Sequence, residues 1–341
     1  MAFTEGGQGG FPLVAKQERI GRTPFEVSVI TFNAGNLKRG EKLFREAVEG
    51  MVGSCSTSAG IIGFQEISTE AMPLLQQSLP SGWAVKAYPN PTDPMLSMAV
   101  AYDGKKLQLH GDKEITLPLL PEIHRRYDYP KREQPLERKA QFLHFTSLTD
   151  PATHVVLTNA HLSAKGFSRH RQEQMQFARN ELDSFVSREG LHEGKDAFVT
   201  FLIGDLNTAG PVGTIRNRRQ TRRMLQILGE EFVKLNNLLE PTSNVFSSIL
   251  HKADDIIGTR AFDAAENILA SPLRRGARVY AATEYIIERV GGQHRDHIFM
   301  RRGLHFEEAR QTSAHILRSP GAIRASDHDA VVAHVHLLRT N

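Results

Sequence analysis

Carboxylate, amide and imidazole side chains recur in this sequence at the points where predicted strands end or begin. These residues are, in chain order, Asn33, Glu66, His161, Asp205, Asn207, Asp296, His297, Asp327 and His328. Carboxylate oxygens bind hard metal ions, and an imidazole beside a carboxylate can accept a proton. Any one of them alone is more typical of a turn, because such side chains bond nearby backbone groups. Taken together, they predict a shared rim at which a metal is bound or a proton is moved.

Strands and helices that would position these residues are predicted from the spacing of apolar side chains. The predicted strands are 25–33, 59–66, 83–89, 96–103, 139–148, 153–162, 196–207, 283–290, 295–303 and 327–337. The predicted helices are about 39–52, 68–79, 168–188 and 216–239. Strands occur along the whole chain with helices between them, which favours two sheets with outer helices.

The domain organisation follows from the same pass along the chain. Residues 1–24 are Gly-rich and aperiodic, so we expect a flexible leader. No linker rich in Pro, Gly or Ser divides the remainder, and we therefore expect one domain over 25–341. The segment 241–280 gives no clear pattern.

Composition narrows the class of protein. Of the 341 residues, 40% are hydrophobic and 23% are charged, which is typical of a folded globular chain. The single cysteine excludes an internal disulfide and a four-cysteine zinc site. The N-terminus does not have the pattern of a secretory signal, and no apolar run is long enough to span a bilayer. We expect a cytoplasmic protein without a membrane span, and a monomer.

Two basic runs indicate an anionic partner. The net charge is +4, and the run "IRNRRQTRRM" (215–224) contains five arginines. The run "HRRYDYPKRE" (124–133) is also basic. Lys and Arg clusters attract phosphate backbones, although either run could also be an ordinary solvated face.

Six blocks of the sequence together resemble the endonuclease/exonuclease/phosphatase superfamily, whose members include pancreatic deoxyribonuclease. The blocks are, in order, "TFNAGNL", "IIGFQE", "LTNAHL", "FLIGDLN", "RDHIF" and "ASDHDAVVAHV". They cover residues 27–337. The resemblance implies an α/β chain of the α+β type, folded as a four-layer α-β-β-α sandwich of two packed mixed sheets flanked by helices. It also implies a metal-dependent phosphoesterase site at one rim.

The resemblance implies a role for each rim residue. Glu66 would be the principal ligand of Mg²⁺ or Mn²⁺, with Asn33 beside it and Asp327 near the metal. These oxygen donors suit such ions, which keep several of their own waters. His161 would bond a phosphate oxygen, while Asp205 and Asn207 would orient the attacking water. Asp296 would pair with His328, which would act as general base or electrostatic clamp; whether Asp205 or His328 takes the proton stays open.

Three further positions refine this assignment. "LERKAQFLHF" resembles the family strand in which an arginine reaches the site, so Arg138 is a candidate phosphate contact, with a surface arginine as the alternative. Some nuclease members have an Asp two residues after the first-strand Asn, where this chain has Gly35, and this departure favours one-metal chemistry. His297 is expected to pack near the site without binding the metal.

The substrate is less well determined than the reaction. Our first hypothesis is a Mg²⁺-dependent nuclease acting on DNA or RNA, with Arg218, Arg219 and Arg222 contacting backbone phosphates. The alternative is a phosphatase or phospholipase C-type hydrolase whose substrate is a phosphorylated small molecule or a lipid head group, such as inositol phosphates or sphingomyelin. A second alternative is a catalytically silent scaffold that binds nucleic acid or protein. The sequence does not distinguish endonuclease from exonuclease action.

Overall fold

The computed structural model describes residues 25–35, 40–91, 93–119, 137–163, 168–192, 196–208, 215–235, 296–302, 306–317 and 330–339. The expected leader 1–24, the basic run 124–133, the segment 241–280 and the predicted strand 283–290 lie outside these residues, as do Asp327 and His328.

Twelve strands and four helices make up the described regular structure, together with two short 3₁₀ turns. The strands β1 to β12 are Phe25–Asn33, Ala59–Gln65, Trp83–Tyr88, Met98–Asp103, Leu107–Leu117, Arg138–Ser147, Thr153–His161, Ala197–Asp205, Phe232–Lys234, Asp296–Arg302, Phe306–Leu317 and Ala330–Arg339. The helices α1 to α4 are Glu41–Ser54, Met72–Ser78, Ser168–Arg188 and Ile215–Leu228. None of the helices in the described part of the chain combines the length and apolar character needed to cross a bilayer.

Two six-stranded sheets form the centre of the fold. Sheet A has the strand order β11-β12-β1-β2-β4-β3, and sheet B has the order β5-β6-β7-β8-β10-β9. In sheet A, β1 and β2 are parallel, while β12 is antiparallel to β1. In sheet B, β7 and β8 are parallel, while β10 is antiparallel to β8. Both sheets are therefore mixed, and each has one parallel pair near its middle.

Three apolar cores join the layers. One lies between the sheets and includes Val29 of β1 and Phe201 of β8. The second packs α1 and α2 on the outer face of sheet A, and the third packs α3 and α4 on that of sheet B. Helix α1 shows why a helix packs on the sheet. Its apolar residues recur at helical spacing and are all buried, namely Phe44, Ala47, Val48 and Met51. This confirms the expected sandwich of two mixed sheets flanked by helices.

The structure corrects the sequence prediction at the last helix. The predicted helix 216–239 ends at Leu228, and Phe232 lies in β9 instead of continuing the helical stripe. Gly229 has φ +96°, and its N–H donates to the Leu225 carbonyl at 3.0 Å. A left-handed glycine at this position is a common way to end a helix, and the apolar residues beyond it then belong to a strand.

Two long strands were not predicted from the sequence. β5 and β11 are rich in polar residues and lie next to the single partner strands β6 and β12, respectively. Their registers shift near Gly111 in β5 and at two points in β11. Polar residues and register shifts of this kind break the clean alternation by which a strand is recognised.

Candidate active site

Strand directions bring the predicted rim residues together. Asn33 and Gln65 are aligned at the ends of the parallel strands β1 and β2, so Glu66 follows directly at that edge. His161 and Asp205 are aligned in the same way at the ends of β7 and β8. The antiparallel strand β10 begins at the same edge, with Asp296 opposite Asp205. One rim of the sandwich therefore contains candidate residues from both sheets.

Contacts between the sheets join these residues directly. Asn33 Nδ2 of sheet A donates to Asp205 Oδ2 of sheet B at 3.0 Å. Glu66 Oε1 lies 3.4 Å from His161 Nε2, and Asp205 Oδ2 lies 3.8 Å from the same nitrogen. The imidazole is thus placed between a carboxylate of each sheet.

Arg138 belongs to this cluster. It opens β6, and its Nη1 lies 2.8 Å from His161 Nε2 and 3.0 Å from His161 Nδ1. Only 9% of its surface is exposed, so the alternative of a surface arginine is wrong. A buried guanidinium in contact with the imidazole that lies near both carboxylates provides donors for an anion in an otherwise acidic rim.

The loop after β8 holds Asp205 through its backbone. Asn207 N donates to Asp205 Oδ1 at 2.9 Å, and Asn207 Nδ2 donates to the Leu162 carbonyl at 2.9 Å. Asn207 has φ +49°, in the left-handed region that Asn tolerates better than most residues. Both oxygens of Asp205 are therefore hydrogen-bonded, which fixes the plane of the carboxylate.

Gly204 is required immediately before this carboxylate. It has φ +138°, and a Cβ at this position would collide with the Ala160 carbonyl oxygen. No other residue type can occupy this conformation without moving β7, the strand that presents His161. The "GDLN" block therefore combines a steric requirement with its chemistry.

Glu66 adopts a strained backbone conformation. Its φ is +48°, which is uncommon for a residue other than glycine, and 23% of its side chain is exposed. Such strain is often found at functional sites, where the surroundings hold it in place. Of the site carboxylates, Glu66 is more open to solvent than Asp205, whose side chain is 2% exposed.

His297 and Gly35 lie beside the site. His297 is fully buried, its Nε2 lies 2.9 Å from Thr208 Oγ1, and its ring stacks on Phe299. His297 thus packs against the loop after β8 and supports it. The sequence predicted that this ring packs near the site. Gly35 N donates to Asn33 Oδ1 at 3.0 Å, which orients the Asn33 amide.

Asp296 is the candidate residue of β10. Asp296 is fully buried at the start of β10. His328 and Asp327 lie outside the described residues, so the pairing of Asp296 with His328 and the metal role of Asp327 stay predictions.

Among the described residues, Glu66 and Asn33 are the ones that could hold a hard divalent ion such as Mg²⁺ or Mn²⁺. Glu66 and Asp205 both lie within 4 Å of His161, but the described residues contain no three His, Cys, Asp or Glu side chains arranged to hold a metal ion by themselves. Mg²⁺ does not need such a centre, because it binds one or two carboxylates and keeps its waters. Glu66 supplies an accessible carboxylate, and Asn33 supplies an amide oxygen on the neighbouring strand end.

The single cysteine does not take part. Cys55 follows α1 and is buried. Burial and the nearby Asp103 raise the pKa of its thiol to about 12. The thiol therefore stays protonated at neutral pH and is a poor nucleophile.

The arginine cluster lies on α4, which follows the Asp205 loop. Arg222 and Arg223 are exposed, while Met224 and Leu228 are buried against sheet B. Arg218 and Arg219 are on the same helix, but their side chains lie outside what the structure describes. The helix predicted from the sequence is thus correct over residues 216–228.

Sequence reasoning missed a layer of buried polar residues directly beneath the rim. This layer consists of Thr31, Gln65, Gln141 and Asn159, all of them fully buried. Two members of this layer could have been recognised from the sequence, because Gln65 and Asn159 are part of the blocks "IIGFQE" and "LTNAHL".

Comparison with known proteins identifies the fold. No family model and no curated protein match the sequence. An endonuclease/exonuclease/phosphatase from Bacteroides vulgatus is 13% identical, with a TM-score of 0.58 over 92% of this chain and 99% of that one. TDP2 from D. rerio, solved with a single-strand DNA product, is 12% identical, with a TM-score of 0.56 over 91% of this chain and 98% of that one.

A third similar structure limits what the fold implies. It is a nitrophorin from Cimex, solved as a ferrous NO complex, which is 12% identical with a TM-score of 0.51 over 93% of this chain and all of that one. The same architecture therefore supports different activities, and function must be argued from the site. The chain has the endonuclease/exonuclease/phosphatase fold, as the order of its sequence blocks predicted.

Proposed function

We propose that this chain is a metal-dependent phosphoesterase that hydrolyses phosphodiester bonds of DNA or RNA. The observation that carries the proposal is the meeting of Glu66, His161, Asp205 and Arg138 at one rim, from strands of both sheets. Hydrolysis of a phosphodiester needs an anion-binding group, a group that orients water and a means of neutralising negative charge. The rim supplies residues for each of these tasks.

Arg138 and His161 bind the phosphate. The guanidinium has several N–H donors in one plane, and the imidazole beside it adds another. Both side chains are almost completely buried, so their hydrogen bonds to a phosphate oxygen form where competition from water is weak. Their contact with each other aims both groups at the same position.

Asp205 and Asn207 orient the attacking water. The water oxygen forms a bond to phosphorus and gives one proton to the accepting residue, the opposite P–O bond breaks, and the leaving oxygen takes up a proton from solvent. Because both oxygens of Asp205 are already hydrogen-bonded, its carboxylate holds one orientation during this step. His328 stays the predicted alternative to Asp205 as the group that accepts the proton of the water.

Glu66, with Asn33 beside it, would hold the metal ion. A bound Mg²⁺ or Mn²⁺ would supply neutralisation of the charge on the phosphate oxygens. Glu66 is suited to this task because its carboxylate is accessible and its backbone is held in an unusual conformation.

A nucleic acid is the substrate class that the surface charges favour. Arg222 and Arg223 project from α4, which follows the loop that contains Asn207. Exposed arginines can neutralise the phosphates of a nucleic-acid backbone. The DNA product bound to TDP2 from D. rerio gives the proposal further support.

An activity panel tests this proposal. With Mg²⁺, the purified chain is expected to cut plasmid DNA, single-stranded DNA or RNA, and a preparation carrying Asp205→Asn is the control for contaminating nucleases. Release of phosphate from inositol polyphosphates, without cutting of nucleic acid, would instead favour the small-molecule alternative. Binding of nucleic acid without cleavage of any substrate in the panel would favour the silent scaffold.

Removing two arginines should weaken nucleic-acid binding and its dependence on salt. For the double variant Arg222→Ala/Arg223→Ala, we expect the slope of log K against log salt to fall by about 1 to 2, because each phosphate contact releases about one counterion. The measurement is a salt titration of binding to a fluorescent single-stranded oligonucleotide.

The matched control removes two exposed cations from other parts of the surface. Lys105 lies in the turn after β4, and Arg188 ends α3. The double variant Lys105→Ala/Arg188→Ala has the same net charge as the test variant, so an equal loss of slope in both would mean that α4 is not a binding surface.

A further inference from the structure

The space between the two sheets changes character towards the active-site rim. Far from the rim it is filled with apolar side chains such as Val155 and Leu157 of β7. At the rim it contains ionisable groups, among them His161 of the same strand. Between these two zones lies the buried polar layer formed by Thr31, Gln65, Gln141 and Asn159.

Asn159 and Gln65 form the central bond of this layer. Gln65 Nε2 of sheet A donates to Asn159 Oδ1 of sheet B at 2.6 Å. Asn159 Nδ2 donates to the Gln141 side chain at 3.0 Å and to the Phe64 carbonyl of sheet A at 3.2 Å. Gln65 also exchanges hydrogen bonds with Thr31 at 3.2 to 3.3 Å. The pair therefore joins strands of both sheets through directional bonds.

Gly63 makes room for this bond. A Cβ at Gly63 would lie 2.9 Å from Asn159 Oδ1 and 2.6 Å from Ile203 Cδ1. Both neighbours belong to sheet B, so the sheets approach more closely here than a side chain on Gly63 would allow. The close approach is what brings the two amides within bonding distance.

Stability alone does not account for a polar filling at this position. Buried amides are costly unless they are hydrogen-bonded, and replacing a bonded polar pair by apolar groups of similar shape can be neutral or stabilising. Apolar contacts are also tolerant of small shifts between sheets, whereas hydrogen bonds are directional. The layer therefore fixes the position of one sheet relative to the other. This position matters most next to the rim, where residues of both sheets must meet.

The positions of both amides along their strands connect them to the rim. Gln65 immediately precedes Glu66, and it is aligned with Asn33 on β1. Asn159 lies two residues before His161 on the same face of β7, and His161 is aligned with Asp205 on the neighbouring strand. A shift of one sheet against the other would change the distances between Glu66 and His161 and between Asn33 and Asp205 together.

We propose that Gln65 and Asn159 form a clamp between the sheets that positions the catalytic residues of each sheet against those of the other. Neither residue touches the reacting atoms in this account; they are positioning residues. The expected effect on kcat rests on the proposed function. The effect of the clamp on the distances between the two sheets at the rim does not.

A double-mutant cycle tests the clamp. The variants are Gln65→Met, Asn159→Leu and the combination of both. Each single variant leaves one buried amide without its partner, so its urea midpoint should fall, and the double variant should recover part of that loss. We expect kcat of the double variant to stay at least about tenfold below wild type, with KM changed by less than about threefold, because misplaced catalytic groups slow the chemical step.

Two controls separate positioning from stability. Leu157→Ala opens a cavity in the apolar zone of the same strand and should lower the urea midpoint while kcat stays within about twofold of wild type. Thr31→Val removes one hydroxyl from the layer and serves if the larger changes prevent folding; its kcat should fall by about threefold. Wild-type kcat in the double variant or in Thr31→Val would overturn the proposal. A loss of kcat in Leu157→Ala as large as that in the double variant or in Thr31→Val would also overturn it.

A crystal structure of the double variant gives a readout that needs no substrate. The distances from Glu66 Oε1 to His161 Nε2 and from Asn33 Nδ2 to Asp205 Oδ2 should both increase from 3.4 and 3.0 Å. Unchanged distances would contradict the clamp even if the wild-type chain proved to be active. Increased distances in a chain with no phosphoesterase activity would instead retain the clamp and reject the proposed function.

Discussion

Replacing Asp205 by asparagine should lower kcat by a factor of about 10² to 10³, because the neutral amide neither accepts a proton nor orients water as a carboxylate does. Asp205 accepts hydrogen bonds on both oxygens, from Asn33 Nδ2 and from Asn207 N. An asparagine keeps only one acceptor atom, so one of these donors loses its partner. We therefore expect the free energy of unfolding to fall by about 1 to 3 kcal/mol, which a folded variant can tolerate.

Single-turnover kinetics and urea unfolding measure these two effects separately. The matched control is Asp150→Asn, at the turn between β6 and β7, where Asp150 Oδ2 accepts from Thr153 Oγ1 at 2.6 Å. Arg138 and His161 lie at one end of the β6–β7 pair, and this turn lies at the other end. The control removes the same charge and should keep wild-type kcat. Wild-type kcat in Asp205→Asn would remove Asp205 from the chemistry.

Removal of divalent metal should reduce activity by a factor on the order of 10³ or more, since a bound ion can supply several kcal/mol of charge stabilisation. EDTA should abolish cleavage, and added Mg²⁺ or Mn²⁺ should restore it. For Glu66→Gln, we expect the Mg²⁺ concentration at half-maximal activity to rise by at least about tenfold, because the charged ligand is lost. Full activity in EDTA would exclude the proposed metal dependence.

Metal affinity can be measured without catalysis. Calorimetric titration with Mn²⁺ should give about one site in the wild-type chain and weaker binding in Glu66→Gln. Glu181→Gln is the control, because the Glu181 side chain is exposed to a similar degree, 26%, but is paired with Lys113 on the outside of sheet B. Equal Mn²⁺ affinity in wild type and Glu66→Gln would mean that Glu66 is not the ligand.

The clear strands and the chemistry-bearing residues at their ends could be predicted from the sequence. β1, β2, β7 and β8 are strongly apolar runs that stop at a polar residue, and their observed ends lie within two residues of the predicted ones. The order of the sequence blocks also predicted the sandwich of two sheets. Apolar periodicity and strand-breaking polar residues are local properties, and local properties can be read from neighbouring positions.

Weak local patterns explain why two strands were not predicted and why one helix was predicted too long. The polar strands β5 and β11 lack clean alternation, and the apolar spacing of α4 continues in the sequence into the residues of β9. In each of these cases pairing with another strand decides the structure. The partner strand is distant in sequence for β9, which pairs with β10.

The sequence by itself determined which residue types stand at the strand ends, and hence that a rim with carboxylates, amides and an imidazole was to be expected. Only the tertiary structure decided how those residues meet. The burial of Arg138 against His161, the bond from Asn33 to Asp205 and the Gln65–Asn159 clamp all depend on how strands far apart in sequence are aligned and how the two sheets face each other. Asn33 and Asp205 are separated by 172 positions, and no pattern within a strand specifies a contact over that distance. The physical reason is that side-chain alternation sets which face a residue occupies, whereas packing of the whole sandwich sets what that face meets.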